Sequence, residues 1–150
     1  MPSTKLRPSS RRNKTHKKSL TKRTLPLKTK IVKTFIEMLN LVKLYHWKTH
    51  SYAEHKATDE LYDRLNTNID RFIEVLLGKD QSRINLVSLR IDLIETSSTK
   101  DIKHKIHEYR DFLVDLTRLF DARKDSDLLN IRDEILGDLN QFLYLLSFNK

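Results

Sequence analysis

Three prolines, at positions 2, 8 and 26, and two glycines are all that interrupt this chain of 150 residues. Gly and Pro are the strongest local breakers, so the stretch beyond residue 30 can carry long helices joined by few turns. Apolar residues there recur at helical spacing. In residues 31 to 50 (IVKTFIEMLNLVKLYHWKTH), Val32, Phe35, Leu39 and Val42 form a stripe whose next member is His46, so this histidine points inward. A second pattern runs from Tyr52 to Gly78 on Leu61, Leu65, Ile69, Phe72 and Leu76, with Gly78 as the expected stop. A third starts at Ser98 or Thr99 as cap and runs to Ala122 through Ile102, Ile106, Tyr109, Leu113, Leu116 and Phe120. A fourth starts near Ser126 and passes Leu128, Ile131, Ile135, Leu139, Phe142, Leu143 and Leu146.

Between the second and third patterns, apolar residues from Ile84 to Ile94 crowd too closely to separate helix from strand by period. A long apolar crossover is expected there, with room for one short helix. Two short connections and one long one among four helices predict an all-α fold. It is a four-helix bundle with a crossover between helices 2 and 3, one of the ferritin-like arrangements, over residues 31–150.

His55, Asp59, Asp70 and Glu74 stand at spacings of 4, 11 and 4 within the second pattern, mirror-placed about a point between Arg64 and Leu65. At 100° per residue they share, with Asp63, one sector bordering the core stripe. A helix rises about 1.5 Å per residue, so His55 and Glu74 lie nearly 30 Å apart and no single subunit brings all four to one ion. Two copies packed antiparallel across a two-fold axis would set residue i against residue 129 minus i, joining His55 to Glu74 and Asp59 to Asp70 of the other copy. With no Cys in the chain, any metal is bound by nitrogen and oxygen, the donor set that iron takes in oxygen-activating proteins. Taken singly, each residue has a plainer reading: His46 a satisfied core histidine, Trp47 core packing, and the acids salt-bridged to Lys56, Arg64 and Arg71.

Charge is unevenly divided. The net charge is +9; residues 1 to 30 hold eleven Lys or Arg and no acid, while the remainder holds eighteen bases and twenty acids. Low apolar content and the prolines predict a disordered basic N-terminal tail over residues 1–30. Its Arg7, Arg11, Arg12, Lys14, Lys17, Lys18, Lys22 and Arg23 suit sequence-independent, salt-sensitive contact with nucleic acid phosphates. A nuclear-localisation signal and an acidic-membrane contact are the alternatives. No apolar run reaches the roughly 20 residues of a membrane span, and the basic start is not followed by the apolar stretch of a secretory signal. The expectation is a soluble intracellular protein, cytoplasmic or associated with a nucleoid or nucleus. The Asn13-Lys14-Thr15 triplet is then a chance match to a glycosylation acceptor.

The segment HWKTHSYAEHKATDELYDRLNTNIDRFIEVLLG (46–78) resembles the Dps family, the DNA-protection miniferritins. There, a His-Trp pair near the end of the first helix precedes a second-helix pattern H-x3-D-x10-D-x3-E. His46 and Trp47 match the pair, and His55, Asp59, Asp70 and Glu74 match the pattern. The interval from His46 to His55 is about three residues shorter than usual in that family, which leaves His46, His50 or neither as the first ligand, the last case giving a site of His55, Asp59, Asp70 and Glu74 alone. The resemblance implies a hollow dodecameric shell that takes iron as Fe2+ and oxidises it to Fe3+ at sites between subunits. Catalytic and metal-binding roles then fall on His46, His55, Asp59, Asp70 and Glu74, and basic tails bind DNA. It also likens Asp121, Asp125 and Asp127 to acids lining ion-entry pores, although helix starts commonly carry Asp. His104, His107 and Asp111 read as a solvated face. The leading expectation is a DNA-associated ferroxidase that forms at least a dimer. Its alternatives are a non-enzymatic basic-tailed protein that packages nucleic acid after losing metal activity, and a dimeric adaptor whose acidic strip meets a basic partner.

Overall fold

A computed structural model describes residues 25–85 and 89–148. Four helices are present: α1 (Leu27–Lys48), α2 (Tyr52–Gly78), α3 (Thr99–Asp115) and α4 (Ser126–Leu145), with single 3-10 turns at Leu116–Arg118 and Leu146–Phe148. No strand occurs among the described residues. The fold is all-α, and among the described residues no helix is long and apolar enough to cross a membrane.

Direction follows from which ends touch. Tyr45, late in α1, bonds Glu54, early in α2, so these helices are antiparallel. Thr99, the first residue of α3, also reaches Glu54, which makes α3 run the same way as α2. Lys79, just past α2, pairs with Asp125 and Asp127 at the start of α4, so α4 runs opposite to α2. The chain between α2 and α3 therefore travels the length of the bundle, and it does so along α1. Lys28 holds Asp80 near the start of α1, Lys33 lies 3.6 Å from Asp92, and Lys48 binds Glu95 near its end. Residues 82–85 and 89–97 contain no helix.

The apolar stripes meet as their spacing predicts. Phe35, Met38, Leu61, Leu65, Phe72, Leu113, Ile135, Leu139 and Phe142 are all fully buried. Phe35 and Phe72 meet edge-on with ring centroids 5.3 Å apart, a geometry that aligns ring edge and face favourably.

Helix ends follow local chemistry. Ser51 and Ser98 accept hydrogen bonds from the backbone N–H of Glu54 and Asp101, capping α2 and α3. α1 starts at Leu27 directly after Pro26, within the stretch expected to be tail; the run of lysines behind that proline favours helix. α3 ends at Asp115 and not at Ala122, although its apolar stripe continues. The Arg132 guanidinium donates to the Leu113 carbonyl and to the Thr117 hydroxyl, and the chain tightens into a 3-10 turn there. Gly78 closes α2 without a left-handed backbone; Gln81, at φ 54°, turns the chain away.

Candidate metal centre

The three-residue connection Thr49–His50–Ser51 brings His46 level with His55. Their rings stack with centroids 3.9 Å apart. Each ring's Nδ1 faces the other residue's backbone carbonyl, at 3.0 Å from His46 to His55 O and 3.1 Å from His55 to His46 O. A carbonyl only accepts, so each neutral imidazole carries its proton on Nδ1 and keeps its lone pair on Nε2. The His46 Nδ1–H also reaches the Thr58 hydroxyl at 3.2 Å, and that hydroxyl donates to the Glu54 carbonyl at 2.8 Å. Carbonyl-oriented imidazoles of this kind are what metal sites use to fix a donor nitrogen.

His46 Nε2 lies 3.9 Å from Asp59 Oδ1. That separation is too long for a hydrogen bond and wide enough for an ion lying about 2.0–2.2 Å from each donor. His46 is buried while His55 is exposed and Asp59 half-buried. Asp70 and Glu74 lie towards the other end of α2, exposed. Within one chain, no three His, Asp or Glu side chains among the described residues converge closely enough to hold an ion. His46 thus touches His55 on one side and lies 3.9 Å from Asp59 on the other, without the three forming a converged donor group, and Asp70 and Glu74 lie apart from them. His50 is exposed and lines a separate polar hollow with Tyr45, Lys48, Glu54 and Thr99.

The basic residues of α2 do not neutralise this strip. Arg64 pairs with Asp138 at 3.0 Å and Arg71 with Glu134 at 2.9 Å, both across to α4. Among the described residues, Asp70 and Glu74 have no ion-pair partner. Asn68 donates to Asp138 as well, and the Asp138 carboxyl is pushed above its ordinary range, chiefly by burial and against the pull of Arg64.

Between the two ends of the strip runs an apolar groove lined by Val32, Ile36 and Leu39 of α1 and Asn66, Ile69, Asp70 and Ile73 of α2. With His46 level with His55 and the helices antiparallel, Ile36 stands level with the midpoint of the mirror pattern. Trp47 turns out of the bundle at 70% exposure, and Tyr52 is 78% exposed. The Lys43 ammonium sits 4.7 Å from the ring centre of Tyr62 and 5.8 Å from that of Trp47.

Glu54 is a site residue that helical periodicity passed over. It is buried, and its carboxylate accepts hydrogen bonds from the hydroxyls of Tyr45, Thr49 and Thr99, tying α1, α2 and α3 together one residue before His55. The spacing Ser51-x-x-Glu54 is that of a capping box, but only its serine half forms: the Ser51 N–H donates to the Thr49 hydroxyl, and the Glu54 carboxylate goes to the three hydroxyls instead.

The remaining candidates have plain structural roles. Asp121 accepts from the backbone N–H of Arg123 and Lys124, and its carboxyl is held low by those bonds. Asp125 and Asp127 are bound by Lys79. His104 pairs with Glu108 at 3.1 Å and His107 with Arg110, on the exposed side of α3. Arg7, Arg11, Arg12, Lys14, Lys17, Lys18, Lys22 and Arg23 lie outside the described residues.

Residues 46–146 match the model of DUF5856, a family of unknown function, and the chain belongs to that family. The matched span opens on His46 and takes in His55, Asp59, Asp70 and Glu74. No match emerges among curated proteins or among solved structures.

Proposed function

We propose that this protein is a Dps-like, ferritin-like ferroxidase: two copies pair through α1 and α2, and ferrous iron is oxidised as substrate at two sites between them. The observation that carries this reading is the His46–His55 pair, in which backbone carbonyls hold both Nδ1 protons and leave an Nε2 lone pair on each ring, that of His46 lying 3.9 Å from Asp59. Two imidazoles and a carboxylate with open positions form a donor set suited to ferrous iron reacting with oxygen or peroxide. A two-fold pairing adds Asp70 and Glu74 of the other copy to each such half-site. The apolar groove between α1 and α2 supplies surface for the pairing to bury, and Asp70 and Glu74, exposed and without an ion pair among the described residues, are the carboxylates the other copy would contribute. The basic N-terminal arm then holds nucleic acid phosphates, DNA by the resemblance, and iron oxidation spares that DNA from radicals. A dodecameric shell extends the same resemblance.

A second reading keeps the bundle and the arm without the oxidation. Direct stacking of His46 on His55, a consequence of the short connection, favours it, since stacked rings are satisfied without an ion. Ferrous iron added to the purified protein separates the two. Oxidation followed by absorbance should run well above the buffer rate in the wild type and near it in Asp59→Ala and Glu74→Ala. Buffer-rate oxidation in all three contradicts the enzymatic reading and leaves the packaging one.

A further inference from the structure

We infer that the end of the bundle from which the N-terminal arm departs is itself a phosphate-binding surface, extending the arm's track for a nucleic acid backbone; this rests on the reading that the arm binds nucleic acid. Four segments meet at that end: the start of α1, the end of α2, the first residues of the crossover and the turn before α4. Lys79 joins three of them, pairing with Asp125 and Asp127 and donating to the Lys124 carbonyl at 2.8 Å. Lys28 joins the fourth, reaching Asp80 and the Ser82 hydroxyl.

The acids Asp80, Asp121 and Asp127 at this end are exposed, but each is engaged by a neighbouring cation or amide of the fold. Asp80 is held down to about 2 by Lys28 and Ser82. Asp127 is held low by Lys79 and by the Leu128 N–H. Asp121 spends its acceptor on the amides of Arg123 and Lys124. The exposed bases are spent differently. Lys30, Arg83, Arg123 and Lys124 are all exposed, and among the described residues none of them has an acid partner; the Arg83 guanidinium touches only the Ser82 carbonyl. Because Asp121 binds the backbone beneath Arg123 and Lys124, those two side chains project from a fixed turn without holding it together. A rigid set of free cations next to a cationic arm is an arrangement that counterion release rewards without base readout. The partner it fits is a duplex phosphate backbone.

The test uses the full-length chain and a random-sequence DNA duplex of about 30 base pairs, with affinity read by fluorescence anisotropy between about 50 and 200 mM salt. A variant carrying Arg83→Gln, Arg123→Gln and Lys124→Gln should lose about 0.9 in log–log salt slope per contact removed, roughly two to three in all, and bind at least tenfold more weakly at the low-salt end. Unchanged circular-dichroism melting of that variant keeps the result from being one of misfolding. A second full-length variant, with Arg11, Arg12, Lys17 and Lys18 changed to Gln, reports the arm alone. If the arm variant weakens binding while the bundle-end variant keeps the wild-type slope, this inference fails and the arm reading stands. If neither variant changes the slope, both fail. Tighter binding to phosphatidylserine vesicles than to the duplex also overturns the inference, in favour of an acidic membrane surface.

Discussion

The two flanks of α2 differ in what one chain supplies to them. Towards α4 two bases of α2 are met across the bundle, Arg64 by Asp138 and Arg71 by Glu134, and Asn68 also donates to Asp138. On the other flank, α2 and α1 leave a groove of Ile36, Leu39, Ile69 and Ile73 open, with Asp70 at its edge. A histidine pair and Asp59 lie at one end of the strip and Glu74 at the other. The first flank is closed by these cross-bundle pairs, and the second is the one on which the proposed two-fold pairing would act. A helix whose polar face existed only for solubility would mix its signs, with Lys set against Glu one turn away. Here Arg64 and Arg71 pair across the bundle, and among the described residues Asp70 and Glu74 have no ion-pair partner.

The contrast can be strained by substitutions, taken from the largest effect downwards. Phe72→Ala opens a cavity among fully buried rings and should lower unfolding free energy by about 3–5 kcal/mol in a urea titration. Its neighbour Ile73 gives the opposite pattern: Ile36→Asp with Ile73→Asp should leave the monomer's circular dichroism intact and drop the sedimentation coefficient to that of a single chain. An unchanged particle size would show that the groove is not the interface. Arg64→Ala deprives the half-buried Asp138 of its cation, and a loss of about 1–2 kcal/mol is expected after allowing for the partial exposure of Arg64.

Acid titration probes the ends and the completed flank with opposite signs. Lys28 and Ser82 hold Asp80 at about 2, below its unfolded value near 3.9, so its contribution is full above that value and disappears as pH falls towards 2. Asp138 is raised by burial; its ionisation opposes folding, so that penalty grows as pH rises through the unfolded and then the folded value. Asp80→Asn should therefore flatten the acid limb of the stability profile, whereas Asp138→Asn should remove the step above it. Smallest of all, Arg71→Ala breaks an exposed pair and should change stability by no more than about 0.5 kcal/mol.

What the sequence disclosed and what it withheld divide along the same physical line. The bounds of α2 could be read because a serine cap precedes its stripe and a glycine follows it, both local signals. The end of α3 could not, because Leu116 and Phe120 continue the apolar period while Arg132, 19 positions along the chain, donates to the Leu113 carbonyl. The start of α1 at Leu27 was masked by charge, since lysines that read as tail are also good helix formers. At the site, spacing placed His55, Asp59, Asp70 and Glu74 on one flank. It did not foretell that Arg64 and Arg71 would leave them for α4, or that a three-residue turn would stack His46 on His55 and send His50 elsewhere. Those outcomes depend on partners from other helices, which no periodicity within one helix encodes. Trp47 shows the same gap: its place in the motif suggests nearness to the site, yet its side chain faces outward beside Leu44 and Leu93.

Complementation between two damaged chains tests the shared site most directly. One variant carries His55→Ala and Asp59→Ala, the other Asp70→Ala and Glu74→Ala, and each alone should oxidise ferrous iron no faster than buffer. After unfolding and refolding as an equal mixture, half of the random pairs are mixed, and each mixed pair rebuilds one of its two sites, so activity should return to about a quarter of wild type. A mixture as inactive as its components, with mixed pairs demonstrated by differently tagged chains, would contradict a site built from both copies.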